Sequence, residues 1–171
     1  MLVLRKILRT IDLVNVWIAK TVSWVVVIII ATTIYEIIMR YLFNAPTNWV
    51  FEFNYLIHGP YFLLLGAYTF AINGHVNVDI FYARLSKRAK ATVDLFTMPL
   101  FFFFTLMMFI YGGRFAMNAL SFRETLSSAW GPPVYPIKFA IPLAAFLLLL
   151  QGLAKYIRDL HLAITGKEGA L

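Results

Sequence analysis

Four long apolar runs, each about as long as a bilayer is thick, constrain this chain more than any other feature. The first runs from Thr21 to about Phe43, with its most β-branched part between Val22 and Ile34. The second, Phe53 to Gly74, is 22 residues without Lys, Arg, Asp or Glu. The third, Leu95 to Gly113, is 19 such residues, and the fourth, Val134 to Ala154, is interrupted only by Lys138. Crossing about 30 Å of hydrocarbon takes roughly 20 helical residues at about 1.5 Å each. Backbone polar groups in lipid must satisfy one another, and a barrel would show many short alternating strands instead. The pattern predicts an all-α integral membrane protein with spans at about 20–43, 53–74, 94–114 and 134–156.

Composition excludes the soluble alternative. The chain is 61% hydrophobic and 13% charged, with a mean hydropathy of +0.78. A soluble domain is nearer half apolar and a quarter charged. Only short loops remain outside the runs, so 1–171 reads as a single membrane domain. The net charge of +7 does not point to nucleic acid, because the basic residues flank the apolar runs, where they snorkel and set orientation. The absence of cysteine excludes disulfides and thiolate metal sites.

Lys and Arg divide unequally. Arg5, Lys6, Arg9, Lys20, Arg84, Lys87, Arg88, Lys90, Lys155, Arg158 and Lys167 fall on one side. Only Arg40, Arg114, Arg123 and Lys138 fall on the other. The positive-inside rule places the larger set in the cytoplasm, with both termini inside, and an even number of spans agrees. A cleaved signal peptide fits less well: the apolar stretch is long, and no clear small-x-small site follows it.

No Gly or Pro occurs between Met1 and Ala45. One straight helix over that length would exceed 60 Å at about 1.5 Å per residue, so it must bend or protrude. Leu4, Ile7, Leu8, Ile11 and Val14 recur at helical spacing, with Arg5, Arg9 and Asp12 elsewhere. This predicts an interfacial helix over 3–16 that turns into the first span. Val78, Phe81, Tyr82, Leu85, Ala89 and Val93 share a face in the second-to-third loop. They predict an inner-leaflet helix over about 79–91, with Asp79 at its N-cap. The outer loop from Arg114 to Pro133 is expected to begin with an extension of the third helix to about Leu126. Trp130-Gly131-Pro132-Pro133 then makes a rigid turn. Pro60, Pro99 and Pro142 read as kinks, tolerated in membrane helices.

Ionisable groups within the spans carry most of the functional information, because each costs a few kcal/mol in hydrocarbon unless partnered. Glu36 and Arg40 stand at i, i+4 in the outer part of the first span; they form either a self-contained ion pair or a contact to another subunit. Trp49 reads as an interfacial anchor. Glu52 caps the second helix or pairs with Arg40. His58, beside Gly59-Pro60, is expected to bond a carbonyl freed by the proline. His75 and Asp79 bracket the cytoplasmic end of the second span. A haem anchor needs two histidines at matching depth on facing helices. His58 and His75 share one helix and His161 is in the tail, so no haem clamp forms. Two related halves with broken helices around a midplane site, as in repeat-type transporters, are also missing. These residues indicate a supporting subunit without a cofactor and without catalysis.

Several segments resemble a known family. Glu36-Ile-Ile-Met-Arg40-Tyr41-Leu-Phe43, then Pro46-Thr47-Asn-Trp49 and Glu52, resembles the start of the small, DctQ-like membrane subunit of tripartite ATP-independent periplasmic (TRAP) transporters. Gly66-Ala67-Tyr68 and Gly74-His75-Val76-Asn77-Val78-Asp79 are similar to that family's element after the second span. Ser127-Ser128 with Pro132 and Pro133, then Ala140-Ile141-Pro142-Leu143, resembles its entry into the fourth helix. The resemblance implies a bacterial or archaeal cytoplasmic-membrane protein that pairs with a large transport subunit carrying the substrate and sodium sites. A periplasmic binding protein would deliver an organic acid to the pair.

The expectation is therefore an accessory, non-enzymatic subunit of a sodium-coupled transporter. Its partner-interface candidates are Glu36, Arg40, Trp49, Glu52, His75 and Asp79. Its candidates for docking the binding protein are Arg114, Arg123, Glu124 and Trp130. Two other readings compete: a haem- or quinone-binding anchor of a redox complex, and a small exporter formed by homodimerisation.

Overall fold

A computed structural model of the chain describes residues 2–72, 74 and 85–166. Five helices account for most of them: α1 (Leu2–Tyr41), α2 (Val50–Ala71), α3 (Lys87–Ser121), the short α4 (Tyr135–Lys138) and α5 (Ala140–Thr165). An isolated bridge between Thr125 and Pro133 closes the loop between α3 and α4.

With no Gly or Pro to interrupt it, α1 runs unbroken for 40 residues, about 60 Å at 1.5 Å per residue. The segment 3–16 is thus helical and continuous with the span. It stops where Asn44 turns left-handed (φ 52°) and the Ala45 N–H returns to the Met39 carbonyl at 2.9 Å. α3 begins at Lys87 because the Ser86 side chain caps it, accepting from the Ala89 N–H at 3.3 Å. Residues 87–91 therefore form the first turn of α3, joined to the third span. The rest of the expected inner helix, including Asp79, lies outside the described residues, except Leu85 and Ser86.

α3 ends at Ser121, short of the expected Leu126. The Glu124 N–H bonds the Ala119 carbonyl at 2.9 Å and the Arg123 N–H bonds Leu120 at 3.0 Å, with Arg123 left-handed (φ 47°). This is a Schellman cap, with an arginine in the place glycine usually fills. The break between α4 and α5 at Phe139 has its own cause. Pro142 has no N–H to give the Lys138 carbonyl, and its ring crowds that carbonyl.

α5 is the central helix. It packs most extensively on α3, then on α2, and touches α1 over a shorter length. α3 buries Ala91, Met98, Thr105, Gly112 and Ala119, a strict seven-residue spacing, together with Ala116. α5 answers with Ala144, Ala145, Leu147, Gln151, Gly152 and Ala154. Small residues let the backbones approach, which is how helices associate without a hydrophobic driving force. A Cβ on Gly112 would meet Ile141 Cγ2 at 2.6 Å, and one on Gly152 would meet Phe101 Cε1 at 2.4 Å.

Among the described residues, three helical stretches are long and apolar enough to cross a membrane: α1, α3 and the run Tyr135–Thr165. α2 has the length, at 22 residues, but carries Glu52, Asn54 and His58. The start of α1 and the end of α5 meet at one pole of the bundle, where Asp12 of α1 pairs with Arg158 of α5 and Arg88 of α3 bonds the Ala163 carbonyl. The loops 42–49 and 122–134 lie at the other.

Candidate interaction site at the loop pole

Glu36 organises the first loop. Its Oε1 accepts from Arg40 Nε at 3.0 Å and from Nη2 at 2.6 Å. Its Oε2 accepts from the Thr47 N–H at 3.2 Å and also from the Thr47 hydroxyl. The helix spacing brings the arginine round, and the turn at Asn44 folds Thr47 back over the carboxylate. The arginine side chain stays 52% exposed while the carboxylate is mostly covered.

One turn lower, Asn54 of α2 ties to α1, accepting from Thr32 Oγ1 at 2.7 Å and donating to Thr33 Oγ1 at 3.1 Å. Sequence reasoning passed over this residue. An uncharged amide in a span was its only signal.

Trp49 is the hub of an aromatic cluster. Its ring lies 6.1 Å from Tyr35, 6.0 Å from Phe53 and 6.3 Å from Trp130. Glu52, in the first turn of α2, accepts from Ser128 Oγ at 2.7 Å, and Ser128 Oγ also accepts the Gly131 N–H at 3.1 Å. Glu52 thus reaches the second loop, 76 residues away, and leaves Arg40 to Glu36. The two sets of candidates, for partner interface and for docking, converge here on one surface through Trp49–Trp130 and Glu52–Ser128.

The remaining candidates scatter around it. Glu124 pairs with Lys138 at 2.6 Å, and the same ammonium sits 4.0 Å above the Phe115 ring. Arg114 lies over Tyr111 at 5.6 Å, on the exposed side of α3. Arg123 is the helix cap described above. His75 and Asp79 lie outside the described residues. Beneath the cluster runs a groove of about 850 Å³ between α1, α2 and the start of α5, lined by Glu36, Arg40, Asn54, His58, Lys138 and apolar side chains. His58 contacts Phe62 (4.7 Å) and Tyr61 (6.2 Å) in ring contacts. It makes no hydrogen bond to a carbonyl freed by Pro60 among the described residues, because its ring turns onto these aromatics.

A second polar cluster holds the opposite pole. Gln151, 1% exposed on α5, accepts from Asn15 Nδ2 at 2.6 Å and donates to Asp12 Oδ1 at 2.9 Å. Asp12 also accepts from Arg158 at 2.6 and 3.2 Å. Lys155 joins Asp94 of α3 to Asp159 of its own helix. Apart from Lys155–Asp159 at i, i+4, these partners are 61 to 146 residues apart, beyond the reach of spacing arguments. His161 is at this pole, bonded to Thr165, far from His58, so the two cannot clamp one haem between them.

The fold and these clusters define a multi-pass helical membrane protein whose polar side chains chiefly bind one another. Residues 29–162 match the family described as "Tripartite ATP-independent periplasmic transporters, DctQ component". The chain belongs to that family: it is the DctQ membrane component of a TRAP transporter, a non-enzymatic protein that works with the other components of a tripartite system. No curated protein matches the chain.

Proposed function

We propose that this subunit is a static brace. It holds the large transport subunit of a sodium-coupled carrier for an organic acid in the bilayer, and it helps dock the periplasmic binding protein. In this reading α2 is a fourth span and both termini are cytoplasmic, which puts the Trp49–Trp130 surface in the periplasm of a bacterial or archaeal cell.

One observation carries it. The cations bordering the groove are already taken, Arg40 by Glu36 and Lys138 by Glu124. A carboxylate solute would have to break an ion pair to bind there, whereas a scaffold gains from groups that satisfy one another. The most apolar window of α1 buries none of its residues within the chain, which leaves that helix for lipid and for another subunit.

Charge reversal tests the reading. E36R breaks the pair and the loop over it, so the large subunit should no longer co-purify; recovery at wild-type yield would sink the brace. Calorimetry on the purified chain should show no specific uptake of organic acids, and a saturable heat would assign solute binding to this subunit instead.

A further inference from the structure

The termini pole carries a second cleft, of about 290 Å³, lined by Arg5, Leu8, Arg9, Asp12 and Arg158. Arg5, Leu8, Arg9 and Asp12 stand at i, i+3, i+4 and i+7, so they share the face of α1 on which Leu8 is buried, 1% exposed. Across the cleft is Arg158 of α5. Asp12 neutralises Arg158 through two hydrogen bonds and is held in turn by Gln151. Arg5 and Arg9 have no acidic partner among the described residues. Two guanidiniums therefore sit one helical turn apart beside a cavity whose one lining carboxylate, Asp12, is already taken by Arg158. Like charges at that spacing repel, and an anion between them removes the repulsion.

The geometry points to the phosphate of an anionic phospholipid headgroup, taken from the leaflet that borders the chain termini. Guanidinium forks match phosphate oxygens bidentately, and basic pockets between membrane helices are where such headgroups bind. A lipid is favoured over a free phosphate by the rest of the same helix. Leu13 and Trp17 follow Arg9 at i+4 and i+8, flanking the cleft, and both are exposed. Acyl chains cover such a surface, and a soluble anion leaves it bare. The Asp12–Gln151–Asn15 chain would then have a purpose beyond joining α1 to α5: it fixes the far wall of a headgroup site. The assignment requires only that α1 lies in a bilayer, and it stands or falls separately from the transport reading.

Native mass spectrometry of the full chain, taken from phosphatidylcholine nanodiscs containing phosphatidylglycerol, tests it. Wild type should retain phosphatidylglycerol preferentially. R5Q/R9Q should lose that retention several-fold, while K6Q/K20Q, an equal charge change at exposed positions of the same helix, should keep it. Equal loss in both variants would reduce the effect to diffuse attraction and overturn the site, as would equal retention of the two lipids. Inorganic phosphate in excess should leave the lipid bound; if it binds in the lipid's place, the ligand is a free anion and the lipid assignment fails.

Discussion

At the scale of single residues, two positions show how little of a side chain's role its type reveals. Arg123 invites a reading as a docking cation, yet its backbone is what the fold uses. It holds the left-handed position of a Schellman cap at φ 47°, a conformation that is unfavourable by about 1–2 kcal/mol for an L-residue with a Cβ. Glycine is free of that strain. We therefore expect R123G to raise the thermal midpoint of the purified protein, and a lowered midpoint would mean that the guanidinium contributes more than the strain costs. Gln151 is the reverse case, a residue whose side chain is indispensable. Asp12 can only accept, so the Gln151 amide must point its nitrogen there and its oxygen at Asn15 Nδ2. That orientation leaves Asn15 Oδ1 as a buried atom without a partner among the described residues. Replacing Gln151 with leucine would orphan the Asn15 amide altogether and should destabilise the bundle by about 1–3 kcal/mol. In N15L/Q151L nothing is left unsatisfied at that layer except one Asp12 contact. Denaturant titration should show the double variant recovering much of the loss; a double variant as unstable as the sum of the singles would contradict the network.

At the scale of helices, the α3–α5 seam decides the packing, and its glycines differ by neighbour. Gly112 faces Ile141, where a Cβ would land at 2.6 Å, while Gly113 has nothing within 4 Å. G112A should destabilise by roughly 1–3 kcal/mol through overpacking. G113A, one residue along, should be neutral or stabilising by up to about 1 kcal/mol, since alanine is the better helix former. G152A belongs with G112A, because its methyl group would strike Phe101, whose ring stacks on Phe70 at 4.6 Å. Parallel melts of the three variants check this, and a G113A as damaging as G112A would refute the seam. These elements were largely legible in the sequence. Length and apolarity mark where the long helices fall, and the Glu36–Arg40 pair follows from the helical repeat alone, whereas the Ser86 cap that starts α3 and the Gly166 end of α5 were passed over in favour of Asp79 and an earlier stop. What was hidden depended on long-range register. Nothing local to Glu52 says that Ser128 will be its partner, nor does the spacing of Asp94 and Lys155 reveal an ion pair. Residues 3–16 are helical, as their periodicity suggests, and without a breaker the backbone carries on from them into the first span as one helix.

At the scale of the whole molecule, the arrangement and the charge pattern bear on the same question. The starts of α1 and α3, the end of α5 and most of the described basic residues share one pole, while the tryptophan cluster and the proline turn share the other. By the positive-inside rule we propose that the pole rich in Lys and Arg lies on the cytoplasmic side, because translocating those charges is disfavoured. The residue that limits this argument is in α2. Its Asn54 is satisfied by Thr32 and Thr33, and its His58 lies against aromatic rings. α2 thus satisfies Asn54 against α1, rests His58 on its own Tyr61 and Phe62 and turns Glu52 to Ser128, and in the proposed topology it crosses the membrane. The chain contains no cysteine, so single cysteines report orientation directly. With a membrane-impermeant maleimide on intact spheroplasts, N48C and S127C should label. K6C and L85C should label only after the membrane is opened. If L85C reacts from outside together with N48C, α2 does not cross and the bundle has three spans. If K6C alone reverses, α1 does not cross. If all four reverse, the charge argument itself is wrong, and the Trp49–Trp130 surface faces the cytoplasm, where no periplasmic protein could reach it.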